Sequence, residues 1–355
     1  DGSANQVLKT DGSGTLSWAT AGGASAVDGL SDAKLAGTDF TGSMILGHQT
    51  TGTLDAAEYN LGIGATALDA ITTGDGNVAI GYDALTNVNE GYNNVAIGYN
   101  ALNDQTTGYM NIAIGEGALE KNTTTSMNIA IGESALDAQT NGGERNIGIG
   151  VYALSANTTG DYNLAMGYGS LYYNTSGGSN VSLGQSSMNR NLTGGYNTVV
   201  GRKAMEVSFG SNNVAVGYEA MNSNWNNRDN GNSTFAGNVA LGYQAGEANE
   251  SGDYNVFIGY QAGDAITTGN DNVIIGKDAA ASAVGGTNQI VIGKDATGTG
   301  DNEIALGNTS ISAIKAQVTS ITGYSDRRIK REIRDSNLGL EFITKLRPVK
   351  YKLKN

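Results

Sequence analysis

From Met44 onward, short apolar phrases alternate with long polar arcs at a nearly fixed interval. Each phrase ends on a glycine, as in Asn77-Val78-Ala79-Ile80-Gly81, and that glycine returns at 47, 64, 81, 98, 115, 132, 150, 167, 184, 201, 217, 242, 259, 276, 293 and 307. The step is 17 residues, except 18 at Gly150, 16 at Gly217, 25 at Gly242 and 14 at Gly307. A period this short and regular belongs to stacked coils, in which each repeat touches mainly its neighbours. In an extended segment alternate side chains point to opposite faces, so Val78 and Ile80 share one face and Asn77, Ala79 and Gly81 the other. Neither face is consistently charged. Both are therefore expected to be covered, one by the interior of the coil and one by a second copy of the chain.

The rest of the coil follows from its residue types. The closing glycine suits a turn that needs positive φ or close approach of backbone. Three residues later comes a small side chain (Ala67, Ala84, Ala101, Ser170) and then Leu or Met (Leu68, Leu85, Leu102, Leu171, Met188). Asn, Thr, Gly, Asp and Ser fill the remainder, as in Asn122-Thr123-Thr124-Thr125, and all favour turns. One coil thus reads as strand, tight turn, short second segment and polar arc. The fold class is all-β: a parallel β-roll or β-solenoid of about sixteen 17-residue coils over residues 41–307. At about 4.8 Å per rung it makes a rod of roughly 75 Å. Its core is thin, so assembly is expected.

Past Gly242 the Leu/Met position becomes small (Gly246, Gly263, Ala280, Thr297), while the Ala two before the repeat glycine becomes large (Phe257, Ile274, Val291). Matched loss and gain of volume suggest that the two positions fill one compartment. Two rungs break the match: Ala240 with Gly246, both small, and Val199 with Met205, both large.

Four segments depart from the period. Residues 1–40 carry Asp-Gly turns around strand-like pieces and read as a β-rich connector, with Trp18 as a packing residue. The coil between Gly217 and Gly242 holds an insertion, which a solenoid places outside, often on a binding face. Trp225, Arg228 and Phe235 are its candidates for contacting a glycan or protein receptor. In residues 308–325, Ile311, Ile314, Val318 and Ile321 have the spacing of a helical seam, but the density of Thr, Ser, Ile and Val favours an intertwined β stalk. Residues 326–355 turn basic; Asp335 or Ser336 can cap a helix from about Asn337 to Leu346, and Val349–Leu353 alternates as a strand.

Charge and composition narrow the chemistry. The net charge is −13, which argues against nucleic acid as a partner, and no apolar stretch reaches the ~18 residues of a membrane helix, so no membrane insertion is expected. With no Cys and one His (His48), neither thiolate nor multi-histidine metal sites can form. Asp264, Asn270 and Asp271 offer too few carboxylates for a calcium cage and read as a polar turn, so no metal and no cofactor are expected. Glycoside hydrolysis needs two carboxylates across a cleft, whereas Asp83, Glu116, Glu133, Glu219 and Asp278 recur just after the repeat glycine, as solvent-facing ladders would. The chain opens at Asp1 without a signal-peptide pattern, as expected of a fragment or a processed form.

Two resemblances are carried by these residues. The Asn-x-Ala-Ile-Gly repeats resemble the head β-rolls of trimeric autotransporter adhesins and similar arrays in bacteriophage tail fibres. Ser325-Asp326-Arg327-Arg328-Ile329-Lys330-Arg331-Glu332-Ile333, followed by Gly339–Tyr351, resembles the start of the intramolecular chaperone of endosialidase and related phage tail proteins, the peptidase S74 family. That second resemblance implies a short α/β chaperone fragment at 326–355, truncated here, which drives trimerisation and cuts between Ser325 and Asp326. It implies Ser325 as nucleophile and Lys330 as its activating partner; a Lys of lowered pKa can serve a Ser in that role. Beyond such autoproteolysis no catalytic activity is expected. Together the resemblances imply a homotrimeric, receptor-binding tail fibre on the virion, joined to other tail proteins through its N-terminus. A trimeric adhesin head on the bacterial surface and a glycan-degrading tailspike are the alternatives.

Overall fold

The computed structural model describes residues 6–10, 16–20, 33–35, 41–47, 56–140, 142–223 and 233–315. The chain divides into two units, Asp1–Ser310 and Ile311–Asn355. In the first, β1 (Gln6–Thr10) and β2 (Leu16–Thr20) form an antiparallel pair in which Gln6 faces Thr20. Next, β3 (Ala33–Leu35) runs antiparallel to β4 (Met44–Leu46). From β4 to β19 (Ile304–Leu306), sixteen strands follow one another in parallel, each joined to the next by one coil. The expected parallel β-solenoid is what the chain forms. Among the described residues it contains no helix, and no pairing links β19 back to β3, so the ladder is open at both ends.

The pairing is in register with the repeat: Val78 lies beside Val95, Ala79 beside Ala96 and Ile80 beside Ile97. Val78 N donates to Asn94 O and Gly81 N to Ile63 O, both at 2.8 Å. Backbone hydrogen bonds therefore run from rung to rung, along the axis of the stack. In the second unit, residues 311–315 are described; they carry no strand, and Ile311 and Ile314 are exposed.

Each typical strand buries a small middle residue between two larger, half-buried ones. Ala79 is fully buried, whereas Val78 and Ile80 on either side are only half-buried. Ala84 and Leu85 complete the apolar interior and are also fully buried. Leu85 has φ 49°, a left-handed conformation that costs an ordinary residue about 1–2 kcal/mol. Burial of a Leu side chain, worth about 1.5–3 kcal/mol, offsets that strain. Met188 and Met205 repeat the arrangement, buried at φ 46°.

The repeat glycine answers to conformation and space together. Gly81 has φ 138°, and a β-carbon built on it would stand 2.4 Å from the carbonyl oxygen of Gly98 in the next rung. Gly98 meets Gly115 O at 2.5 Å in the same way, with φ 139°. Adjacent rungs pass too closely at this corner for any side chain.

The Asn of the phrase is buried, and it forms a ladder of its own. Asn77 Oδ1 accepts from Asn94 N at 3.0 Å and from Asn94 Nδ2 at 3.1 Å. Asn77 Nδ2 donates to Gly91 O at 2.8 Å. The acceptor pattern runs up the stack to Asn272, whose Oδ1 receives Gln289 N at 3.0 Å. A second internal column changes character along its length. It is apolar at Ile71 and Val88, becomes amide at Gln105, Asn122, Gln139, Asn157, Asn174 and Asn191, and turns apolar again at Val207. Within its amide stretch Asn174 Nδ2 donates to Asn157 Oδ1 and Asn191 Nδ2 to Asn174 Oδ1, both at 2.8 Å.

Candidate functional site

One extended feature of the surface is the outward side of the parallel sheet. The first position of each strand, from Met44 through Val78, Ile129 and Val239 to Ile304, forms one column; the third, from Leu46 through Ile80, Ile131 and Leu241 to Leu306, forms another. Thr198 is the one polar residue in either column. At about 4.8 Å per rung and ~6.8 Å between alternate residues, the ribbon covers roughly 500 Å² or more. Contiguous apolar patches of that size mark interaction surfaces on soluble proteins.

Beside this ribbon, at the arc just before the buried Asn, lies a groove of about 480 Å³. Tyr162 and Tyr196 line it, 57% and 71% exposed, with the small Ser179 on the rung between them, and the lining continues to Ser211 one rung further. Arg145 lies over one face of Tyr162, 5.4 Å from the ring centroid, and its Nη1 is 3.1 Å from the phenolic oxygen.

The groove floor departs from the rest of the array. Elsewhere, the residue two before the buried Asn often offers a side-chain acceptor to the backbone of the preceding rung. Asp75 Oδ1 takes Glu58 N and Asp253 Oδ1 takes Ala236 N, both at 2.7 Å, and Ser211 Oγ takes Gly195 N at 3.0 Å. The equivalent residues on two successive rungs here are Gly178 and Gly195. The N–H groups of Asp161 and Gly178, which side chains there would cap, have no acceptor among the described residues. Tyr92 and Tyr109 occupy the same column lower in the stack, where their rings stack at 4.9 Å and cover it.

A third feature follows the repeat glycine. Arg202, Tyr218, Tyr243, Tyr260 and Lys277 occupy successive rungs: Arg202 sits 5.7 Å over Tyr218, the tyrosines stack at 5.3 and 4.9 Å, and Lys277 sits 5.4 Å over Tyr260. The ring faces are used up by one another and by the two cations, so only ring edges meet solvent. This ladder braces adjacent rungs. Near it, burial first and then Glu219 and Asp264 raise the pKa of Glu247. Burial and then Asp278 raise that of Asp264.

Of the candidate receptor-binding and autocleavage residues, one is described. Phe235 is fully buried; its carbonyl accepts from Asn213 Nδ2 at 3.1 Å, in the interior of the coil. The expectation that its side chain meets a receptor is therefore corrected: it is a core residue, at a position where most coils place glycine. Trp225, Arg228, Ser325, Asp326 and Lys330 lie outside the described residues, as does the predicted helix near 337–346. Asp264 and Asp271 belong to no group of three or more His, Cys, Asp or Glu able to hold a metal among the described residues. The groove was missed because its signal is the absence of side chains at Gly178 and Gly195. Neither a scan against protein-family models nor a search of curated proteins finds a match to this chain.

Proposed function

We propose that the chain is a structural and receptor-binding protein, the rod of a homotrimeric bacteriophage tail fibre whose copies associate through the outward Val/Ile ribbon. The observation that carries this reading is the ribbon itself. An isolated rod would leave its larger strand side chains half in water, while its own interior holds mostly Ala, Leu and Asn. Burying such a ribbon against identical ribbons removes apolar area from water at about 25 cal/mol per Å². Assignment to a phage rests on the likeness of 325–351 to the S74 chaperone, with Ser325 and Lys330 as the pair that cuts before Asp326.

Light scattering on the native chain tests the assembly, with Ile114→Asp and Ile131→Asp placed together on the ribbon. The expected result is a mass of three chains for the native protein and of one for the variant. A native monomer overturns the reading. The maturation step is tested on the chain continued into whatever its gene encodes after Asn355: denatured mass should show a chain ending at Ser325, and an uncut chain for Ser325→Ala.

A further inference from the structure

We infer that the groove between Tyr162 and Tyr196 is a binding slot for a neutral pyranose of a surface glycan. The inference deepens the receptor-binding reading and rests on it. Two rungs separate the tyrosines, about 9.6 Å at the rise of a parallel ladder. An aromatic face and a saturated ring touch at about 3.5–4.0 Å between carbon atoms, so one six-membered sugar ring fills the interval. The C–H edge of such a ring is attracted to the negative face of an aromatic ring. Arg145 occupies the outer face of Tyr162, and Tyr196 has no ring or cation partner among the described residues. Between the two tyrosines the groove is lined by the short side chains of Ser176 and Ser179 and by Gly178.

The floor supplies the polar half of the recognition. The N–H groups of Asp161 and Gly178, one rung apart, are donors without acceptors among the described residues, and an unmade hydrogen bond costs most where a ligand excludes water. Sugar hydroxyl oxygens accept such bonds. The hydroxyls of Ser176 and Ser179 on the groove wall both donate and accept. Asp161 also lines the groove and offers a carboxylate to sugar hydroxyl protons; its Oδ1 already receives Glu144 N at 2.7 Å. Glu144 nearby is paired with Arg145 at 3.1 Å, which leaves the Asp161 carboxylate as the uncompensated charge; with the net charge of −13 it disfavours sialylated or phosphorylated sugars and selects neutral ones.

The stacked ladder from Tyr218 to Tyr260 is more aromatic but offers edges alone. The slot is distinguished by two exposed tyrosines with no stacked ring between them and by backbone donors beside them that the described residues leave without acceptors.

The test is a glycan array probed with the full chain, carrying neutral hexose and N-acetylhexosamine oligosaccharides beside sialylated ones, followed by titration of the strongest. Three variants accompany it: Tyr196→Ala removes a wall, Gly178→Ser places an acceptor over the N–H of Asp161 as Ser211 does for Gly195, and Tyr82→Ala is a remote control. Neutral oligosaccharides should be retained, with affinity at least tenfold weaker in the first two variants and unchanged in the third. Thermal melting of Gly178→Ser should match the parent. Retention of sialylated probes alone, no retention at all, or equal affinity in all variants would overturn the slot. Light scattering on the same samples separates the two readings. A trimer that binds no saccharide sinks the slot alone; a monomer sinks the fibre.

Discussion

A β-carbon placed on Gly263 would stand 2.3 Å from Cδ1 of Phe257, and one on Gly246 would stand 2.4 Å from Cδ2 of the same ring. Phe257 occupies the strand position that holds Ala in half of the coils, and the two glycines hold the place of Leu. One aromatic ring thus fills the interior of two coils, and the pairing of small Ala240 with small Gly246 leaves no void because the ring comes from the next rung. Gly263→Leu should destabilise by about 1–3 kcal/mol through overpacking, and Phe257→Ala by about 3–5 kcal/mol through a cavity. The double variant restores the Ala/Leu pair and should lose less than the sum of the two. Denaturant melts of the three chains measure the coupling, and strict additivity would refute a shared compartment.

Gly98→Ala places a methyl group 2.5 Å from Gly115 O at φ 139°. No flexible side chain can yield there, so the loss should reach about 3–5 kcal/mol, in the range reserved for severe lesions. Tyr99→Ala, on the exposed next residue, should stay within about 1 kcal/mol, the ordinary centre for substitutions. Equal melting temperatures for the two would contradict the close approach.

Asn163→Ala removes the acceptor of Asn180 N and Nδ2 and the donor to Gly177 O. Buried groups left without partners cost about 1–3 kcal/mol each, so this small truncation should rival a core cavity. Asn163→Asp keeps the acceptor, loses the donor and buries a carboxylate. Its melting temperature should fall further at neutral pH than at pH 4, where the acid can be protonated; the reverse order would count against the ladder.

Glu247 and Asp264 have carboxyls raised above their ordinary range, chiefly by burial. Such an acid binds its proton more tightly folded than unfolded, so stability falls as pH rises from the ordinary carboxylate range through the raised values. Glu247→Gln removes one of the two contributions. The variant should melt higher than the parent at pH 7 and no higher at pH 3.5. Asp301 runs the other way: Thr287 N and then Gln289 hold its pKa down, and its contribution is lost only at strong acidity.

The repeat made the solenoid legible because spacing alone carried it: the glycine of each phrase became the closing residue of each coil, and the compartment shared by Phe257 and Gly263 was readable as traded volume. Which strand face points inward was less legible. Hydrophobicity favours Val78 and Ile80 for the interior, yet narrow coils leave room only for Ala79, and the larger pair is turned out. Asn77 was legible as sharing a face with Ala79, but not as a buried rung of an amide ladder, since pairing between identical amides arises only once the coils are stacked. Phe235 was taken for a binding side chain because it follows an irregular insertion, whereas its burial follows from the regular coil it re-enters.

Every hydrogen bond of the parallel ladder points along the stack, so a pull on the two ends of the rod loads the rungs in series. Tension then opens the weakest interface first and leaves the others closed. Each coil so released turns a rise of about 4.8 Å into 17 residues of extended chain, a gain of roughly 50 Å at ~3.3 Å per residue. Such a rod is a mechanical fuse with many links, stiff until one yields and then lengthening by fixed increments.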